Sequence, residues 1–82
     1  MDKWYVYIIE CQGTHYYTGI TNNVEKRITA HREGKGAKFT KGRNPIVLKA
    51  VWEFENKSEA SKREYAIKKL SKKQKEELIN GL

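Results

Sequence analysis

The sequence predicts a small α/β (α+β) domain: a three-stranded, mainly antiparallel sheet flanked by helices, in the order β-β-α-β-α-α. Three observations carry that reading. Two runs rich in aromatic and β-branched residues open the chain, separated by Gln12-Gly13-Thr14. A third such run, IVLKAVWEF, stands in the middle. Two helix-start signals follow it, at Asn56 and Ser71.

Residues 3–11, KWYVYIIEC, read as a strand. Alternation puts Trp4, Val6 and Ile8 on one face and Tyr5, Tyr7, Ile9 and Cys11 on the other. Gln12-Gly13-Thr14 is a short turn, and residues 15–20, HYYTGI, return as the second strand of a hairpin. Thr21, Asn22 and Asn23 are all N-cap residue types, so a helix starts near them and runs to about Glu33, where Gly34 stops it. Its apolar stripe is Val24, Ile28 and the spacing-compatible His31. Residues 34–45, GKGAKFTKGRNP, form a loop by composition. The third strand, about 46–54, is apolar on both faces and is expected to be well covered. Asn56 with Glu59 starts a second helix that runs to about Leu70. Ser71 with Gln74 repeats the signal for a last helix over about 72–80, ended by Gly81.

At 82 residues the chain reads as one domain, residues 1–82, with a modest core. No apolar run approaches the roughly 20 residues that span a bilayer, and the N-terminus does not read as a signal peptide. Cys11 is the only cysteine. That excludes an internal disulfide or a cysteine-cluster zinc site and fits a reducing cytoplasm. The formal net charge is +7, unevenly spread. Residues 26–43 hold Lys26, Arg27, Arg32, Lys35, Lys38, Lys41 and Arg43 against Glu33 alone. Residues 62–75 hold Lys62, Arg63, Lys68, Lys69, Lys72, Lys73 and Lys75 against Glu64 alone. Two tracts of one sign point to a polyanion partner, most simply nucleic acid. The second tract has few large apolar residues to insert into a membrane surface.

Three constellations are candidates for chemistry. Glu64 falls in the inward stripe of the second helix with Ala60, Ile67 and Leu70. A carboxylate there needs a partner, either Arg27 or a lysine, or a hard cation such as Mg²⁺, which takes few protein carboxylates. Arg27 and His31 share a helix face, four residues apart. They read either as a surface pair or as a phosphate-binding guanidinium beside a group that moves protons. Tyr7 and Tyr17 lie on adjacent strands, by ordinary cross-strand packing or as reactive phenols. Gly19, inside the second strand, marks a close approach by a backbone or a ligand. No phosphate-binding G-x-x-x-x-G-K-[ST] loop and no H-E-x-x-H occur.

The ordered set Y-V-Y (5–7), Y-T-G (17–19), Arg27, His31 and Glu64 resembles the GIY-YIG endonuclease superfamily, most closely its small, stand-alone, single-domain branch. The likeness covers essentially the whole chain. It implies a three-stranded antiparallel sheet with flanking helices, and hydrolysis of DNA phosphodiester bonds with one divalent ion, Mg²⁺ or Mn²⁺. By the same resemblance Tyr7 is the general base and Tyr17 orients water and phosphate. Arg27 stabilises the transition state, His31 belongs to the proton relay, and Glu64 binds the metal. Gly19 would let the scissile phosphate approach the sheet. The chain departs from the family pattern at Tyr5, in place of a glycine, and at Thr18, in place of an isoleucine. Several relatives carry an asparagine shortly after the glutamate helix, where this chain reads SKKQK.

The expected function is therefore a divalent-metal-dependent endonuclease with little sequence specificity, acting in DNA repair or recombination. Nicked, branched or single-stranded DNA are candidate substrates, and RNA stays open. In the loop, Lys35, Lys38, Lys41 and Arg43 would grip a backbone while Phe39 stacks a base. The alternatives are a nucleic-acid-binding module with little catalysis of its own and a nuclease subunit targeted by a protein partner.

Overall fold

The structure is a computed structural model that describes residues 3–81. Strand β1 (Trp4–Cys11) turns through Gln12 and Gly13 into β2 (His15–Thr21), and helix α1 (Val24–Arg32) follows. The loop contains one 3-10 turn at Lys38–Thr40 and leads to β3 (Ile46–Phe54). Helices α2 (Lys57–Lys68) and α3 (Lys72–Asn80) complete the order β-β-α-β-α-α. The sheet is antiparallel throughout, in the order β2-β1-β3. Gln12 and Gly13 both have positive φ, 56° and 74°, the sense of backbone that a tight hairpin with normal strand twist requires.

As the middle strand, β1 is buried on both faces and divides the core in two. Val6 and Ile8 pack with Ala50, Ala60 and Ile67 under α2. Tyr7, Ile9 and Cys11 pack with Ile28 and Ile46 on the side of α1. Alternation along one short strand thus fixes which residues can meet: Tyr7 belongs to the α1 side and not to the α2 side.

The helices start where their caps dictate. The side chains of Asn23, Asn56 and Ser71 accept from the backbone N–H groups of Lys26, Glu59 and Gln74. Ser71 and Gln74 form a reciprocal capping box. Helix α2 stops at Lys68, so Leu70 lies just past it, half-buried. Among the described residues no helix is long and apolar enough to cross a membrane.

The third strand corrects an expectation. It is not covered on both faces: Val47, Leu48 and Val51 are 45%, 38% and 37% exposed. The reason is its place in the sheet. β3 is an outer strand, and α1 meets it at its start, where Arg32 Nε donates to the Ile46 carbonyl. The pairing with β1 also slips between Ile8 and Ile9, where Ala50 and Leu48 are the partners and Lys49 is the extra residue.

Thr18, at the position where the family pattern has isoleucine, pairs with Ile8 and faces the α2 core. Its hydroxyl is buried and has no hydrogen-bond partner in the protein. A buried unsatisfied hydroxyl costs on the order of 1–3 kcal/mol. Thr18→Val keeps the shape and removes that cost. It is expected to raise stability by about that amount in denaturant unfolding; an unchanged or lower midpoint would contradict the reading.

Candidate active site

The site forms where the hairpin meets α1. Antiparallel register sets Tyr7 opposite Gly19, with Tyr17 two residues earlier on the same face of β2. The Asn23 cap fixes the start of α1, so that Arg27 and His31 follow one turn apart on its inner side. All four side chains converge on the Tyr7 hydroxyl or its ring. Arg27 Nε donates to Tyr7 Oη at 3.4 Å, and His31 Nε2 lies 2.8 Å from the same oxygen. Ring centroids separate Tyr7 and Tyr17 by 6.5 Å, Tyr7 and His31 by 5.7 Å, and Tyr17 and His31 by 5.4 Å.

Thr40 decides the protonation of this cluster. Its hydroxyl has one proton, which goes to the Ala37 carbonyl at 2.9 Å. Toward His31 Nδ1, 2.8 Å away, Thr40 Oγ1 must then accept. The network therefore assigns the imidazole proton to Nδ1 and leaves Nε2 free to accept from Tyr7. Burial, followed by the Arg27 charge, lowers the His31 pKa to about 4, so the ring is neutral near pH 7. Burial likewise raises the Tyr7 pKa, while the Arg27 hydrogen bond and charge work against that rise.

Two glycines give this cluster its room. A β-carbon on Gly19 would lie 2.5 Å from Tyr7 Oη and 2.7 Å from Cζ. The group that lies closest against Gly19 is the phenol of Tyr7 itself. Gly36 plays the same part for His31, because a β-carbon there would collide with Nδ1 of the ring. Neither Gly36 nor Thr40 stands out in the sequence. Their contacts with His31 come from a loop folding back onto a helix, which no short-range spacing encodes.

Glu64 is half-buried rather than buried, with its side chain 21% exposed and 3.3 Å from Lys68 Nζ. Of the alternatives open in the sequence, the structure shows the lysine partner and not Arg27. Lys68 also sits 5.9 Å from the Tyr17 ring centroid, and the Glu64 charge contributes to raising the Tyr7 pKa. The carboxylate therefore belongs to the same neighbourhood. Among the described residues no three His, Cys, Asp or Glu side chains converge as a metal cage. A lone, partly open carboxylate fits Mg²⁺, which keeps several waters and draws further ligands from a substrate phosphate.

Of the loop residues, Phe39 stacks on Tyr17 at 5.9 Å with a 21° interplanar angle, and the Arg43 guanidinium lies 4.8 Å over the Phe39 ring. Lys35, Lys38 and Lys41 are exposed. The loop thus brings one aromatic ring and one arginine to the edge of the cluster, with its lysines in solvent.

The chain is similar to known proteins in both sequence and fold. A family model described as the GIY-YIG catalytic domain matches residues 3–77. A UPF0213 protein of Clostridium perfringens is 57% identical over 77 residues, spanning 94% of this chain and 83% of its own length. One from Staphylococcus haemolyticus is 53% identical over 79 residues, 96% of either chain. The solution NMR structure of a UPF0213 protein from Bacillus halodurans superposes with a TM-score of 0.61 at 49% identity, covering 95% of this chain and 83% of that one. A solution NMR structure of an E. faecalis protein gives 0.66 at 40% identity, covering 99% and 90%.

Gly19→Ala or Gly36→Ala must displace Tyr7 or His31; each is expected to destabilise by about 1–3 kcal/mol, the range for overpacking, read by denaturant unfolding. An unperturbed variant would contradict the packing described. The His31 ring nitrogens should show protonated Nδ1 and bare Nε2 by ¹⁵N NMR at pH 7. A depressed folded-state pKa means that the unfolded chain binds the proton first. Stability should therefore fall as pH drops from about 6.5 to about 4, by roughly 3 kcal/mol at most, and level off below that. His31→Gln should flatten that slope.

Proposed function

The chain belongs to the GIY-YIG catalytic-domain family, and from that premise we propose that it is a divalent-metal-dependent endonuclease that hydrolyses DNA phosphodiester bonds with little sequence specificity. The observation that carries the reading is the Tyr7 hydroxyl, held between a guanidinium and a neutral imidazole nitrogen. A phenol, with its pKa of ~10, is a poor base near neutral pH. Here the proton has an acceptor in His31 Nε2, and the oxygen left behind has a counter-charge in Arg27. Tyr7 then takes the proton of an attacking water, while that water's oxygen bonds to phosphorus and the ester oxygen departs.

Exposure orders the groups. Tyr7 is wholly buried, whereas Tyr17 and Arg27 are half-buried. A substrate phosphate meets Arg27 and Tyr17 first, and Tyr7 works from behind them. Arg27 supplies positive charge as the phosphorane-like charge develops, and Tyr17 orients water and phosphate. Glu64 would hold the single Mg²⁺ or Mn²⁺, which when bound neutralises phosphate charge and stabilises the leaving oxygen. Lys68, which pairs with Glu64, would then be free to meet the phosphate backbone.

Lys35, Lys38, Lys41 and Arg43 contact phosphates, which carry little sequence information, so DNA shape selects the substrate. Nicked, branched or single-stranded DNA in repair or recombination in the cytoplasm fits this reading, with RNA as a further polyanion of the same kind. A second reading, a nucleic-acid-binding module that cleaves only with a protein partner, is favoured by one observation: the pairing of Glu64 with Lys68.

A cleavage assay on linear, nicked, forked and single-stranded DNA, and on RNA, decides between them. Cutting should require Mg²⁺ or Mn²⁺ and stop in EDTA. Tyr7→Phe and Glu64→Ala should each lower the rate by about 100-fold or more. Metal-dependent cutting retained by Glu64→Ala would remove its assigned ligand role. Salt-sensitive binding with no cutting under any condition would favour the second reading.

A further inference from the structure

Beside the catalytic cluster, where the hairpin turn meets the loop and the start of α3, lies a pocket of about 240 Å³ lined by Thr14, His15, Tyr16, Phe39, Lys72 and Lys75. It draws its walls from both basic tracts at once: Phe39 from the first, Lys72 and Lys75 from the second. Aromatic rings make up much of the lining. Phe39 lies 6.2 Å from the His15 ring, and Lys72 Nζ sits 5.9 Å from the Tyr16 ring centroid. Neither Lys72 nor Lys75 has a salt-bridge partner among the described residues. Lys75 is also half-buried, and burial and the nearby Lys68 charge lower its pKa, which marks a cation short of compensating negative charge.

The geometry points to a subsite for one unstacked nucleobase of the substrate strand, with the adjoining phosphates on Lys72 and Lys75. Size supports the base and not a whole nucleotide. Pockets that enclose drug-sized ligands run roughly 300–1,000 Å³, and this one is smaller. Chemistry supports it too. Rings that offer π-faces, with lysines at the rim, are how proteins bind single strands without reading base identity. Location ties it to the cut, because Phe39 lies tilted against His15 in the pocket and stacks on Tyr17 of the cluster. That last step rests on the nuclease reading; occupancy of the pocket by a base does not.

The test is fluorescence anisotropy in EDTA, so that no cleavage is needed. Two end-labelled DNA strands of equal length are compared, one an oligothymidylate and one abasic throughout. The wild type should bind the strand with bases tighter by on the order of 5- to 150-fold, the equivalent of one stacked base. Phe39→Ala, checked for an intact fold by its amide NMR spectrum, should erase most of that difference, with the loss falling chiefly on the strand with bases. Lys72→Ala/Lys75→Ala should weaken both strands and reduce the salt slope by about 1.4. Equal affinity for the two strands, or an equal loss on both from Phe39→Ala, overturns the inference. Base preference without cleavage in the metal assay would sink only the nuclease reading. Cleavage without base preference would sink only this one.

Discussion

One buried hydrogen bond organises the molecule: Tyr7 Oη to His31 Nε2. Together with the Arg27 Nε bond to the same oxygen, it ties the central strand directly to α1. Through Nδ1 it extends to Thr40, and through Thr40 to the Ala37 carbonyl, so a basic, glycine-rich loop is pinned to the same axis. Each member leaves a buried polar atom stranded if its neighbour is removed, a cost of about 1–3 kcal/mol per group. Such a chain, with every donor assigned an acceptor, holds one tautomer and one geometry. The catalytic reading needs that definiteness, because a proton can move only along bonds already aligned.

The surrounding packing serves this axis. Two small residues, Gly19 and Gly36, lie against the two rings and admit no side chain of their own. Ile9, Cys11, Ile28 and Ile46 seal the apolar side of the cluster. The dry environment is what keeps His31 neutral and strengthens its bond to the phenol. The opposite core, under α2, gives the sheet a second backing and positions Glu64 beside the first. Lys68 stands near the half-buried Tyr17 ring, and Arg43 lies over the Phe39 ring stacked on it.

Local patterns made most of the fold legible. Alternation in WYVYIIEC sorted both cores, and the caps at Asn56 and Ser71 located two helices. The coverage of β3 was not legible, because IVLKAVWEF is apolar enough for a central strand and its outer place depends on the pairing order of the whole sheet. In the site, Tyr7, Tyr17, Arg27 and His31 could be read from spacing along hairpin and helix, together with the family likeness. Thr40 and Gly36 could not, since the loop that carries them returns to His31 by tertiary packing alone. Gly19 was noticed for the right reason, a close approach, but the approaching group was a side chain of the same protein. Glu64 was read into the inward stripe of α2 and lies half-buried there, paired with Lys68, one of the partners the sequence left open.

The slip in pairing beside Lys49 also bears on how this protein behaves in a crowded solution. An outer strand with exposed valines and a leucine offers unpaired backbone groups to any other extended chain. In β3 the regular ladder is broken at its middle, and a lysine stands at the break. A neighbour adding to that edge would have to straighten an inserted residue and accept a positive charge within its own hydrogen-bonded row. Two copies meeting edge to edge would each present the same obstacle. The irregularity therefore works as a stop signal against sheet growth along that edge.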